Sequence, residues 1–274
     1  VSSNHSIDVG LARKTRSPNL YERFAWSTSG MAMRMVNMAG DGNGYVGNLE
    51  LEPEIAYTAT IVSDWHDATA EQWQLVVAPY VTEVKDYIDA TACTAMMCQT
   101  ANSAPGFRYL SFANNDARLY GVDISGFVTL ASDQQGSSLV LQGVVNYLKA
   151  ENTDTNDNLY NIMPLNATFA LVHSKAGWVN TAEWQVVAAK KHVSSVRNEL
   201  NTAGYSLFNL RSAYNWPHWR LDVSVENLFD KGYDSPLAGA YLGQGKTMSA
   251  QGAAYGVAVP GVGRSFYAGL SYSF

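Results

Sequence analysis

Four methionines, Met31, Met33, Met35 and Met38, fall within eight residues of the stretch AWSTSGMAMRMVNMAGDGNGYVGN. Two more, Met96 and Met97, sit between Cys93 and Cys98 in CTAMMC. Thioether sulfur is a soft donor with no proton to lose, so it is available at any pH. Soft thioether and thiolate ligands select Cu(I) over hard ions such as Mg²⁺ or Ca²⁺. A cluster of this kind could capture copper and release it by ligand exchange, because neutral donors hold the ion less tightly than thiolates do. Taken singly, each methionine has another reading, as filler of an irregular apolar gap. The cysteines also admit two readings. A close pair in an oxidising compartment forms a disulfide; reduced, with Met96 and Met97 between them, the pair forms a second soft site. The candidate metal ligands are therefore Met31, Met33, Met35, Met38, Met96, Met97, Cys93 and Cys98. GDGNG at 40–44 has the composition of a calcium loop but lacks its spaced carboxylates, and reads as a tight turn.

Other chemistry is sparse. His66-Asp67 is the one adjacent His-Asp pair, and it falls in a short predicted turn. His192 and Asp234 are the candidates at the opposite end, with nothing to bring them together. Neither a Gly-x-Ser-x-Gly elbow nor a His-Glu-x-x-His zinc motif occurs. The net charge of −6 argues against a nucleic-acid binder, which would carry a basic face.

These residues need elements to position them, and the pattern is β. Charged residues make up only 15% against 12% aromatics, in a chain of 274 residues with 22 glycines. RSFYAGLSYSF alternates Phe266, Ala268, Leu270, Tyr272 and Phe274 with Ser265, Tyr267, Gly269, Ser271 and Ser273. WRLDVSVEN alternates Trp219, Leu221, Val223 and Val225 with Arg220, Asp222, Ser224 and Glu226. Period two is the signature of strands with one apolar and one polar face. It recurs in about ten predicted strands, near 5–13, 52–65, 72–90, 107–132, 137–150, 163–175, 181–195, 204–216, 219–228 and 264–274. No long segment reads at period 3.6, and no run is long and apolar enough for a transmembrane helix. VSSNHSIDVG does not read as a signal peptide, so an exported chain is expected to be processed or a fragment.

Short connections (HDATAE, SDQQGS, KAGWVN, WPH) alternate with long ones at 14–51, 91–106, 151–162, 196–203 and 229–263. Short turns at one end and long loops at the other characterise outer-membrane barrels. Trp65, Trp73, Trp178, Trp216 and Trp219 flank the short turns, where an interfacial girdle would lie. The apolar faces are then expected to meet lipid and the polar faces a lumen. The other architecture is a soluble sandwich with its aromatics in the core, which does not require every second connection to be long.

Six stretches in order resemble the barrel of TonB-dependent receptors: GLARKTRSPNLYERF, NLELEPEIAYT, NNDARLYGVDISG, RNELNTAGYSLFNLRSAY, VSVENLFDKGY and GVGRSFYAGLSYSF. The resemblance covers about residue 5 to residue 274 and implies a bacterial outer-membrane protein. In that family an N-terminal plug and a TonB-binding box precede a barrel of about 22 strands. Neither plug nor box is recognisable here. Residues 1–274 are thus expected to be an all-β, antiparallel barrel segment, roughly strands 13 to 22, with the plug domain and the N-terminal strands missing. The partners implied are outer-membrane lipid, the missing plug and strands, and the TonB complex reached through the missing N-terminal part.

Within the family, the Met-rich loop followed by GDGNGYVGNLELEPE resembles the outer-membrane copper receptors linked to nitrous-oxide reductase maturation. In those proteins the principal copper site takes a Cys and a Met from the plug and methionines from the barrel. Only the loop methionines map onto this chain, as auxiliary capture ligands, with copper as the transported ligand and no catalytic cofactor. Two alternatives stay open. A siderophore or cobalamin receptor would use aromatic and basic loop residues, for which Arg34, Arg108 and Lys246 are available but scattered. A ten-stranded outer-membrane protease or structural barrel is the other.

Overall fold

The computed structural model describes residues 4–25, 40–94, 108–240 and 257–274. Among these residues, ten long strands form one antiparallel path in chain order. They are β1 (His5–Arg16), β3 (Glu54–His66), β4 (Trp73–Ala92), β5 (Tyr109–Ser132), β6 (Ser138–Asn152), β8 (Asn166–Lys175), β9 (Trp178–Val187), β10 (Tyr205–Asn215), β11 (Trp219–Glu226) and β12 (Ser265–Tyr272). Two short strands lie off this path. β2 (Gly44–Val46) runs parallel beside the start of β5, and β7 (Asp157–Asn158) folds back on the end of β6. All ten predicted long strands are present. The largest shift concerns 181–195, which is β9 at Trp178–Val187. Its hairpin is tighter than KAGWVN implied: Ala176 and Gly177 both adopt positive φ, the turn that matches strand twist.

Among the described residues one helix, α1 (Leu20–Phe24), follows β1; it is too short to show a helical period in the sequence. Its local signal is Asn19 with Glu22 three residues on. The Asn19 side chain accepts from the Tyr21 and Glu22 amides at 2.9 Å, and Glu22 returns by accepting from the Asn19 amide at 2.7 Å.

Register fixes the faces. Residues directly opposite each other in an antiparallel pair share a face. Starting at Trp73, the pairing runs through Val128, Leu141, Leu171, Ala182, Leu210 and Val225 to Phe266. This row crosses eight strands without a polar side chain. The opposite face is polar and hydrogen-bonded across strands: Gln74 to Asp64 at 2.9 Å, Thr58 to Thr82 at 2.8 Å, Asn146 to Asp123 at 2.8 Å, and both Asn209 and Arg211 to Glu183 at 2.7 and 2.8 Å. Two-faced strands whose apolar side is exposed, as at Leu11 (83%) and Phe266 (73%), suit lipid outside and water inside.

The four short turns all lie at one end, and aromatic rings gather beside them. His5 stacks on Trp65 with centroids 4.9 Å apart, Trp178 meets Tyr214 edge-on at 4.8 Å, and Trp219 packs on Tyr272 at 4.7 Å. Such rings match the girdle expected at a membrane boundary. Well-packed residues lie at the other end, where Tyr45, Leu51, Ile88, Ala90, Leu110 and Phe112 form the main buried cluster.

Leu171 lies mid-strand on the outward face and Thr168 on the inward one. Leu171→Arg is expected to destabilise the full-length protein in vesicles by about 2–4 kcal/mol, with Thr168→Arg close to neutral. Denaturant titration with a tryptophan fluorescence readout measures both.

Candidate functional site

Seven of the eight methionines belong to three stretches: 26–39, 95–107 and 241–256. Met31, Met33, Met35, Met38, Met96, Met97 and Cys98 lie outside the described residues. The structure does describe the chain on either side of each stretch, and these roots converge.

The root of 26–39 is α1 on one side. Arg16 holds it through a double fork, with Nη1 donating to Glu22 at 2.9–3.0 Å and Nε and Nη2 donating to Glu54 at 2.8 and 2.6 Å. Asn48 donates its amide to the Glu22 carbonyl at 2.9 Å, Arg23 reaches the Leu51 carbonyl at 2.7 Å, and the Gly47 amide bonds the Ala25 carbonyl. A side chain at Gly47 would collide with the Arg23 backbone, so the close approach requires glycine.

On the other side of 26–39 stands GDGNG. Gly40 and Gly42 take positive φ, and the Asn43 amide donates to Asp41 Oδ1 at 3.0 Å. The motif is a tight Asx turn, as its composition implied. It leads into β2, where Val46 packs against Cys93 and Tyr109 at the root of 95–107. The Cys93 amide donates to the Tyr109 carbonyl at 3.0 Å, and Gly44 donates to the Arg108 carbonyl at 3.0 Å. The third stretch joins here too, for the Ala240 amide donates to the Gly40 carbonyl at 3.1 Å. Cys93 is disulfide-bonded, and the sequence holds one other cysteine, Cys98. In that form its sulfur is not a thiolate donor.

A buried polar network that sequence reasoning missed locks the junction. Arg197, between β9 and β10, reaches Asp41 at 3.6 Å and Asp89 of β4 at 3.4 Å, and its Nη1 donates to the Tyr45 hydroxyl. That hydroxyl also bonds Asp41, Asn152 donates to Asp89 at 3.2 Å, and Asn43 donates to the Arg197 carbonyl at 2.7 Å. The guanidinium lies 5.4 Å from the Tyr45 ring centre and 5.1 Å from that of Tyr160. Burial works against the Arg197 charge, but Tyr45, Asp89 and Asp41 outweigh it and raise its pKa. Burial drives the Tyr45 phenol up, so it stays protonated and can donate. Nearby, Asp157 accepts from the Ser195 and Val196 amides, both at 3.0 Å. Burial opposes its ionisation, and these amides more than compensate, holding the carboxyl below its ordinary range. Among the described residues no group of three or more His, Cys, Asp or Glu could hold a metal.

Removing Arg197 would leave two buried carboxylates without their cation. Arg197→Ala is expected to cost the outer connections about 3–5 kcal/mol, read as faster amide exchange at 41–46 with the strands unaffected. Equal exchange in the variant would refute the clamp. A depressed carboxylate stabilises above its unfolded pKa and ceases to do so as pH falls through the folded value. Exchange protection at Ser195 and Val196 should therefore hold at neutral pH and fail only on acidification below the ordinary Asp value of 3.8, with Asp157→Ala abolishing that step.

Three kinds of comparison bear on identity. A family model described as TonB dependent receptor-like, beta-barrel matches residues 1–228. Two curated relatives, both named Heme/hemopexin utilization protein C and both from strains of Haemophilus influenzae, are 28% identical over 232 residues and 26% over 245. Each alignment covers 80% of this chain but only 31% and 32% of the relative, so the chain spans about a third of their length. Among solved structures, the copper transporter OprC matches the whole chain with a TM-score of 0.77 at 22% identity, the match covering 38% of OprC. The ferric enterobactin receptor PfeA of Pseudomonas aeruginosa matches with a TM-score of 0.68 at 17% identity, over 39% of its chain. At these identities the solved structures speak for the fold. The family model carries the assignment: the chain belongs to the TonB-dependent receptor β-barrel family, whose barrels lie in the bacterial outer membrane.

Proposed function

We propose that the receptor containing this chain takes up copper, and that its outer connections capture the ion. The observation that carries the reading is the distribution of methionine. Seven of eight thioethers belong to three connections whose roots are hydrogen-bonded or packed together at one end of the sheet. Met31, Met33, Met35 and Met38 are auxiliary capture ligands, with Met96 and Met97 from the neighbouring connection. Soft, neutral donors of this kind favour Cu(I). Cys93 and Cys98 join the set only when reduced. The captured ion then moves inward to a plug site, and the TonB complex supplies the energy for entry. OprC, named as a copper transporter, is in keeping with this reading.

A second reading rests on the sequence relatives, which are named for heme and hemopexin utilization. Under it the outer connections would hold an iron porphyrin, for which Met, His or Tyr can each supply an axial ligand. A ferric siderophore, the ligand in the name of PfeA, belongs to the same organic-chelate class.

One experiment separates them. The full-length receptor is exposed to copper or to haem, and bound metal is measured by mass spectrometry and bound porphyrin by its optical band. Copper uptake is expected, falling about tenfold in apparent affinity, or roughly 1.4 kcal/mol, when Met31, Met33, Met35 and Met38 all become Leu. Equal copper in parent and variant would end the claim for these ligands. A porphyrin band without copper would favour the second reading.

A further inference from the structure

The outward face of the strands changes character at one level. On β6 it reads Leu139, Leu141, Gly143, Val145 and Tyr147, then Lys149 and Glu151. Lys149 is eleven residues past Ser138, roughly 36 Å along a strand at about 3.3 Å per residue. With a tilt of about 40° that is roughly 28 Å from the turn end, just beyond an apolar band about 25 Å tall. Neighbouring strands change at the same level, β5 from Tyr120 to Arg118 and β4 from Val81 to Glu83. Most cations at this level are matched: Arg118 by Glu83 at 2.6 Å, Lys149 by Glu151 at 3.0 Å, and Lys85 by Asp116.

At one place the wall opens. β8 pairs with β6 only as far as Asn146–Asn166. Beyond that the chain between β7 and β8 leaves a cavity of 150 Å³, walled by Tyr147, Ile162, Met163 and Leu165, with Lys149, Lys191 and His192 also lining it. Lys190 is buried and committed to Glu199 at 2.5 Å and to the Pro236 carbonyl at 2.8 Å. Lys191 and His192 are exposed, and Lys191 makes no ion pair among the described residues.

We propose that this slot binds a phosphorylated glycolipid of the outer leaflet. One acyl segment lies along Tyr147, Ile162 and Leu165, and a phosphate is held by Lys191, aided by His192 and by Lys149, which it shares with Glu151. The chemistry selects this occupant. The volume is well below the 300–1,000 Å³ of a pocket for a whole organic ligand, and suits a stretch of chain. Free phosphate would have no use for the apolar wall. An uncharged lipid would have no use for cations set at the boundary. The proposal is independent of what the receptor transports.

The test uses the delipidated full-length receptor in detergent, titrated with a bisphosphorylated hexa-acyl glycolipid and followed by native mass spectrometry. Each cation near an anionic surface contributes roughly 1 kcal/mol, or about fivefold in affinity. Lys191→Ala with His192→Ala should therefore weaken binding at least fivefold with the melting temperature of the lipid-free barrel unchanged, and Lys191→Arg should retain it. Three results would each overturn the proposal: undiminished binding in the double variant, equal binding of the dephosphorylated glycolipid, or displacement of the lipid by inorganic phosphate.

Discussion

A backbone in hydrocarbon has no water to satisfy its N–H and C=O groups, so every strand must find its partners in neighbouring strands. That single requirement sets the rest of this structure. It forces a continuous ladder from β1 to β12, keeps the crossings antiparallel and in chain order, and leaves the connections to carry everything irregular. Once the ladder is fixed, the pleat sorts the side chains. Each strand sends alternate residues to two different solvents, which is how one sequence can be apolar from Trp73 to Phe266 on one side and laced by Glu183, Asn209 and Arg211 on the other.

Beyond the apolar band the constraint relaxes and a different one takes over. Long connections must be ordered without a large hydrophobic core, and two arginines do most of it. Arg16 gathers β1, α1 and β3 through Glu22 and Glu54, and Arg197 gathers β2 and β4 through Asp41, Tyr45 and Asp89. A planar fork can satisfy several acceptors at once, which an ammonium on the same stem could not match. Burying such groups costs desolvation. The return is geometric: three separate connections start from fixed and adjacent points.

The ladder was almost wholly legible in the sequence, because period two persists along strands whose two faces meet different media. WRLDVSVEN and RSFYAGLSYSF announce both their faces, and the register Val225–Phe266 and Leu221–Leu270 aligns them. The boundary of β9 was less legible, since Ala176-Gly177 makes a turn of two residues where KAGWVN offered a longer one. α1 was legible only through Asn19 and Glu22, a signal of two residues without a helical period. The junction of the outer connections was not legible at all. Arg197 and Asp41 are 156 positions apart, and no local pattern links them. In hindsight the stretches that resembled the family hold these clamps: Arg16 and Glu22 in GLARKTRSPNLYERF, Glu54 in NLELEPEIAYT, and Arg197 at the head of RNELNTAGYSLFNLRSAY. In three of the six stretches, what looked like a signature holds a hydrogen-bonding partner of these clamps.

The contact between Gly40 and Ala240 joins points that are far apart along the sheet. Gly40 belongs to the connection between its first two strands, and Ala240 to the connection between its last two. Arg197 likewise reaches from between β9 and β10 to β4. A curved sheet of strands is an arch, and an arch spreads unless something ties its feet. The ladder supplies the stones, while these contacts at one rim act as tie rods across the span. Among the described residues, that rim is thus joined by polar bonds between distant strands, and the opposite rim by short hairpins between neighbours. The three outer connections are thereby set relative to one another by bonds that cross the sheet, and not by the ladder alone.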